Sequence, residues 1–329
     1  MRTQGSSKNV SSSNIVHRKE AKPIIIDVGD SIYSVAVLSS GKHVVSGDGK
    51  GKIRRWRVED GKKVGTPMGA GSAVYGVAVS CDGKLIVSGT KTGSVTVWNA
   101  ESHSRVTQFK AHNDWVFTST VDVSPDATKI VTGSDDCTVC IWSLSTGKRL
   151  LGPLEHSSGS SVVATKFSPD GRLIATATRK SVRVYDSQTG GFVEFPVEVY
   201  SAVTNIPLSW TTDSKHLFVS SHDGYIHRVN VPTGTTVSKW HIHSSDSPTC
   251  IALAGNETFI AASTGSSVSF WDTTSQEQIG TVIEHTHVVW SMAMSSNYDL
   301  VTGGGKKITL WALGGILPSH YLDNVSVPA

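Results

Sequence analysis

The chain has 329 residues, 38% hydrophobic and only 17% charged, with 31 glycines and a formal charge of +3. That balance excludes wholesale disorder, and the abundance of Ser and Thr over long charged side chains speaks against helical bundles and coiled coils. No apolar run is long enough to span a bilayer and the first residues lack the apolar segment of a secretory signal. A soluble intracellular protein is therefore expected, cytoplasmic with the nucleus as the alternative.

In chain order, residues 1–22 hold Arg2, Lys8, Arg18, Lys19 and Lys22 against Glu20, so the net positive charge resides there. Rich in Ser and Asn as well, this stretch reads as a disordered basic tail. Cys81, Cys137, Cys140 and Cys250 are too few to build a disulfide fold of this length and read as free thiols. A lone apolar strand follows at Ile24–Ile26, and then a repeat begins. Anchors at Trp56, Trp98, Trp142, Tyr185, Val229, Trp271 and Trp311 recur every 40–44 residues. Three positions before each stands a β-branched residue: Ile53, Val95, Val139, Val182, Ile226, Val268 and Ile308. Eight positions after the first six anchors come Val64, Val106, Leu150, Val193, Val237 and Ile279, across turns such as Asp60-Gly61 and Thr146-Gly147. Upstream of each anchor lie two more strands joined by a turn, plainest at Ser168-Pro169-Asp170-Gly171. Each unit is thus four short antiparallel strands. Such a unit cannot cover both its faces alone, so seven of them must stack radially and close.

The repeat resembles that of the WD-repeat β-propeller family over about residues 23–313. The best-matched unit carries His112, Ser134, Asp136 and Trp142, which the resemblance implies form a structural hydrogen-bond tetrad. Elsewhere the position of Asp136 is held by Lys50, Thr92, Arg179, Asp223, Gly265 and Gly305, so polar staples are expected to be mostly missing. The expected fold is all-β: a seven-bladed propeller with four antiparallel strands per blade. The resemblance also implies that the amino-terminal strand closes the ring as the outer strand of the last blade. Residues 314–329 read as an irregular carboxyl-terminal tail.

Chemistry is sparse. Cys137-x-x-Cys140 has metal or redox spacing but falls in a turn and the adjoining strand, with no second pair. His241-x-His243 and His285-x-His287 lack acidic or Cys partners, and Gly303-Gly304-Gly305-Lys306-Lys307 has no helix amino terminus to hold a phosphate. No catalytic residue, metal or cofactor is expected, and no specific nucleic acid or membrane. At matched register near the start of each innermost strand stand Tyr33, Tyr75, Phe117, Val163, Ile206, Thr249 and Trp290, and Trp115 adds to the aromatic sector. In the family this top face around the central channel receives peptides and proteins, and clustered aromatics suit a binding hot spot. Lys91, Asp135 and His222 would flank the same face with mixed charge. The expectation is a non-catalytic interaction scaffold, a monomeric propeller within a complex. The alternatives are a sensor repeat domain of a larger signalling protein and a substrate receptor of a ubiquitin ligase. Trp98-Asn99-Ala100-Glu101 and its counterparts lack the Arg that often marks the last of these.

Overall fold

The structure, a computed structural model, describes residues 22–116, 120–156, 159–178, 180–195, 208–221, 223–242, 250–295 and 299–322. Seven four-stranded antiparallel sheets form the blades, and in six of them consecutive strands run outward from the channel in chain order. Blade 1, for example, comprises Ile32–Val37, His43–Asp48, Lys52–Arg57 and Lys63–Gly69. The seventh blade takes Ser291–Met294, Asp299–Gly304 and Lys307–Ala312 from the end of the repeat and Ile24–Asp27 from its beginning. Ile24 lies opposite Leu310 and Ile26 opposite Ile308, so the amino-terminal strand closes the ring.

The β-branched row is the core. Ile53, Val95, Val139, Val182, Ile226, Val268 and Ile308 are all buried, each in the third strand of its blade. The second row lies in the outer strands, where Val106, Leu150, Val193 and Val237 remain at least half exposed. These four mark register without filling the interior, whereas Ile279 packs against the core of blades 6 and 7. The turn after each of the first six anchors needs a residue in the left-handed region. Gly61, Gly147, Gly190 and Gly234 supply it in four blades, and His103 and Gln276 adopt it in blades 2 and 6.

Hydroxyl-to-carboxylate turns join the first two strands of four blades. Ser80 donates to Asp82, Ser124 to Asp126, Ser168 to Asp170 and Thr211 to Asp213, at 2.5–2.6 Å. The donated hydroxyl bond is the main reason that Asp82, Asp126 and Asp213 titrate below the ordinary carboxylate range. At Asp170 burial opposes the shift, and the bonds from Ser168 and the Arg172 amide outweigh it.

Blade 3 holds the polar chain, with one change of member. The Trp142 indole donates to Thr132 Oγ1 at 2.8 Å, Thr132 meets His112 Nε2 at 2.7 Å, and His112 Nδ1 lies 3.1 Å from Asp136 Oδ2. A proton on Nδ1 satisfies every member. Thr132, not Ser134, is the hydroxyl because Ile130 pairs with Trp142, which makes Thr132 the diagonal neighbour of the indole. Ser134 already belongs to the turn, where its Oγ accepts the Asp136 amide at 3.1 Å. Burial would raise the Asp136 pKa, but donors from His112, Thr138 and the Asn113 amide hold it far below the usual range.

The staples are more widespread than the sequence reading expected. Trp56 donates to Ser46 at 2.8 Å and Trp98 to Ser88 at 2.9 Å. In blade 4 His156 meets Thr176 at 2.8 Å, and in blade 7 His285 meets Thr302 at 2.8 Å, with Trp311 donating to the same hydroxyl at 3.3 Å. The indole–hydroxyl step survives loss of the acid. In blade 5, where Val229 replaces the anchor, Trp240 from the outer strand is buried edge-to-face against Phe218 at 6.1 Å.

Beyond the last strand the chain makes two short 3-10 turns, Leu313–Gly315 and Ser319–Tyr321. Leu313, Leu317 and Leu322 join the core of blades 6 and 7, and the Tyr321 hydroxyl donates to Asp272 at 2.7 Å. This stretch is irregular, as expected, yet packed through Leu322.

Three outcomes are expected. A chain starting at Gly29 melts at least about 8 °C below one starting at Lys22, because uncovering Ile308 and Leu310 costs ~4 kcal/mol or more; equal melting temperatures would contradict closure. Thr132→Val loses about 1–3 kcal/mol in denaturant unfolding by orphaning two buried groups, and Ser134→Ala loses less. The lowered Asp pKa values contribute stability that is complete above the ordinary carboxylate pKa of about 4 and is lost as pH falls through the folded-state values. Stability is therefore level from neutral pH down to about pH 5 and drops below ~4, and Asp126→Asn flattens that drop.

Candidate protein-binding face

The innermost strands carry a recurring irregularity. Pairing with the second strand shifts register between Ile32 and Ser34, between Val74 and Gly76, and between Val162 and Ala164. The extra residues are Tyr33, Tyr75 and Val163. A bulge leaves its residue out of the ladder and re-aims the side chain, here near the rim of the channel. Bulged strands also need outside partners for their amides. Ser291 Oγ accepts the Val35 amide and Ser34 Oγ accepts the Val77 amide, both at 3.1 Å across a blade boundary.

The two bulged tyrosines meet. Tyr33 and Tyr75 rings stand edge-to-face with centroids 4.8 Å apart, and Tyr75 is followed by Trp115 at 5.7 Å. Burial, with the neighbouring Tyr33 second, pushes the Tyr75 phenol above its usual pKa. Trp115 keeps 36% of its surface exposed, while Tyr33 and Tyr75 are half-buried. Lys91 holds its ammonium 4.8 Å from the Trp115 ring centroid. Tyr33 lies over Gly49, where a Cβ would come within 3.3 Å of the ring. Side chains from blades 1, 2 and 3 therefore build one continuous aromatic ladder with a cation at its end.

The other expected rim residues divide three ways. Asp135 is on the same face but engaged, since its carboxylate accepts the Ser161 hydroxyl and its amide donates to the Trp115 carbonyl at 3.0 Å. Trp290 is half-buried just before the inner strand of blade 7, and its amide donates to the Gly303 carbonyl at 2.8 Å. Phe117 and His222 lie outside the described residues, as do Ile206 and Thr249. Asp30 was not singled out in the sequence, and Lys50 was read only as the residue at the position of Asp136, not as part of the rim. They pair at 2.8 Å at the edge of blade 1, with the Arg54 guanidinium between Asp30 and the buried Asp48. A charged residue in the turn after the second strand, at Asp48-Gly49-Lys50, was the only signal for them.

Below the rim the inner strands enclose a channel of about 370 Å³. At one register the blades present Ala36, Ala78, Asp122, Lys166, Ser209, Ala252 and Ala293 to it. Lys166 pairs with Asp122 at 2.9 Å, and Asp122 also accepts the Phe167 amide at 2.9 Å, so the pair ties blade 3 to blade 4.

The remaining candidates have structural surroundings. Cys140 is buried, and burial pushes its thiol up to about 11. Cys137 is partly exposed at positive φ, and burial followed by nearby carboxylates raises its pKa as well. His285 belongs to the Thr302–Trp311 staple. Gly303–Lys307 spans the second strand of blade 7 and its turn into the third. Among the described residues no cluster of three or more His, Cys, Asp or Glu is arranged to hold a metal ion, and no helix is long and apolar enough to cross a membrane.

The family described as "WD domain, G-beta repeat" matches residues 61–99, 103–143, 148–186 and 276–312. No curated protein matches significantly. Among solved structures, "Structure of U3-55K" superposes with a TM-score of 0.71 at 20% identity, covering 87% of this chain and 97% of the other. "Crystal structure of RRP9 WD40 repeats" gives a TM-score of 0.72 at 20% identity, covering 87% and 96%. At that identity the likeness concerns the fold. The chain thus carries four repeats of the WD-repeat family within a closed propeller of seven four-stranded blades, the architecture of that family.

Proposed function

We propose that the protein is a non-catalytic interaction scaffold whose upper rim over blades 1–3 receives a peptide or protein partner. The observation that carries this reading is the Tyr33–Tyr75–Trp115 ladder with Lys91 at its end. Two of the three rings stand on β-bulges, and the ladder presents large contact area with little rotamer entropy to lose, which is the property of an interface anchor. The polar border of Asp30, Lys50, Lys91 and Asp135 carries both signs, so it suits a partner of mixed charge. The fold typically serves binding rather than catalysis. A cytoplasmic location, with the nucleus as alternative, belongs to the same proposal and rests on the sequence reading.

Replacing Tyr33, Tyr75 and Trp115 together by Ala should abolish capture of the main partner in affinity purification. The propeller should stay folded, because these rings stand at the rim and outside the buried β-branched row. Recovery of the same proteins by wild type and a folded triple variant would show that the rim is not the binding face.

A further inference from the structure

A second surface lies at the lower edge of the seam between blades 1 and 2. His43 pairs with Arg57, and Val45 with Arg55, across the second and third strands of blade 1. Alternation along a strand therefore puts His43, Arg55 and Arg57 on one face. Arg55 donates to the Ala100 carbonyl of blade 2 at 2.6 Å and contacts His43 Nε2 at 3.4 Å, both neutral acceptors. Lys42 precedes His43 and is exposed, and Arg57 has about half its side chain in solvent. Asp60 sits 3.6 Å from Arg57 and is shared with Lys62 at 3.5 Å, so one carboxylate serves two cations.

The imidazole registers the imbalance. Burial lowers the His43 pKa first, and then Arg55, Arg57 and Lys42 lower it further, with no carboxylate acting in the other direction. Around this imidazole the seam thus carries positive charge from three side chains.

We propose that this seam is a docking surface for an acidic peptide segment, whose carboxylates bind Arg57 and Lys42 and approach Arg55. Guanidinium groups on a fixed strand suit bidentate carboxylate recognition. A peptide fits better than a nucleic acid. The patch spans one blade boundary, whereas a nucleic-acid chain needs cations along a track of phosphates. The neighbouring aromatic, Trp56, is buried and offers no face for base stacking. This surface is independent of the upper rim.

The test uses the full chain and a fluorescein-labelled, end-blocked Glu/Asp peptide in anisotropy titrations at low salt. Lys42→Glu combined with Arg57→Glu, both exposed positions, should weaken binding by about tenfold or more at unchanged melting temperature. The triple Ala variant of the upper rim should bind the peptide as wild type does, which separates failure here from failure of the rim. Nuclear magnetic resonance titration of His43 should show its pKa rising toward 6.5 when the peptide is bound, because the added carboxylates offset the three cations. Equal affinity of the double variant and wild type, or an unmoved His43, overturns the proposal. Tighter binding of a single-stranded oligonucleotide of equal charge, in competition with the peptide, overturns it in favour of nucleic acid.

Discussion

The rest of the structure depends on the pairing of Ile24–Asp27 with Lys307–Ala312. Each blade is covered by its neighbours, so a ring open at any one boundary leaves two sheet faces wet. Ile26 covers Ile308 and Leu310 on one side and packs with Val44 and Trp56 of blade 1 on the other. The Gly61 turn of blade 1 reaches the same strand, where a Cβ would meet Ile24 at 2.8 Å. One four-residue strand therefore completes a blade and bridges a blade boundary. Non-directional apolar burial favours any compact stack; the backbone ladder fixes which strand ends next to which.

Within that ring, stability is distributed and sites are local. The buried β-branched row repeats in all blades, while the polar chains vary from the four-member chain of blade 3 to single indole–hydroxyl bonds in blades 1 and 2. This is the logic of a repeat architecture, in which neighbouring units share one kind of interface and function is added on loops and rims. The aromatic ladder illustrates it. Three adjacent blades each contribute one ring near the start of the inner strand, and no single blade could make the surface.

The fold was legible because its signal is periodic: the anchors and the β-branched residues three positions before them report the same burial seven times. The closing strand was legible for a related reason, since Ile24–Ile26 is an apolar strand with no partner nearby in sequence. The polar members were read less well. Ser134 stood at the family's spacing from Asp136, but strand register, which a single sequence does not display, puts Thr132 beside the indole. The hydroxyls at Ser46 and Ser88, ten positions before Trp56 and Trp98, were open to the same reading and were passed over in favour of the missing acids. Packing of Leu317 and Leu322 on blades 6 and 7 had no periodic signal at all. At the rim, Tyr33 and Tyr75 were found by register alone; the bulges that turn them toward each other could not be.

Ring closure also bears on how the chain reaches this state. Ile26 and Ile308 meet only after nearly three hundred intervening residues exist, so the pairing is about as non-local as a chain of this size allows. Loop-closure entropy opposes such contacts until late, and folds dominated by them form slowly. During synthesis blade 1 is complete while its flank at Val44 and Trp56 still awaits Ile308 and Leu310. That uncovered flank is apolar and open to sticking. The nascent propeller consequently keeps an apolar flank uncovered for as long as blade 7 is missing.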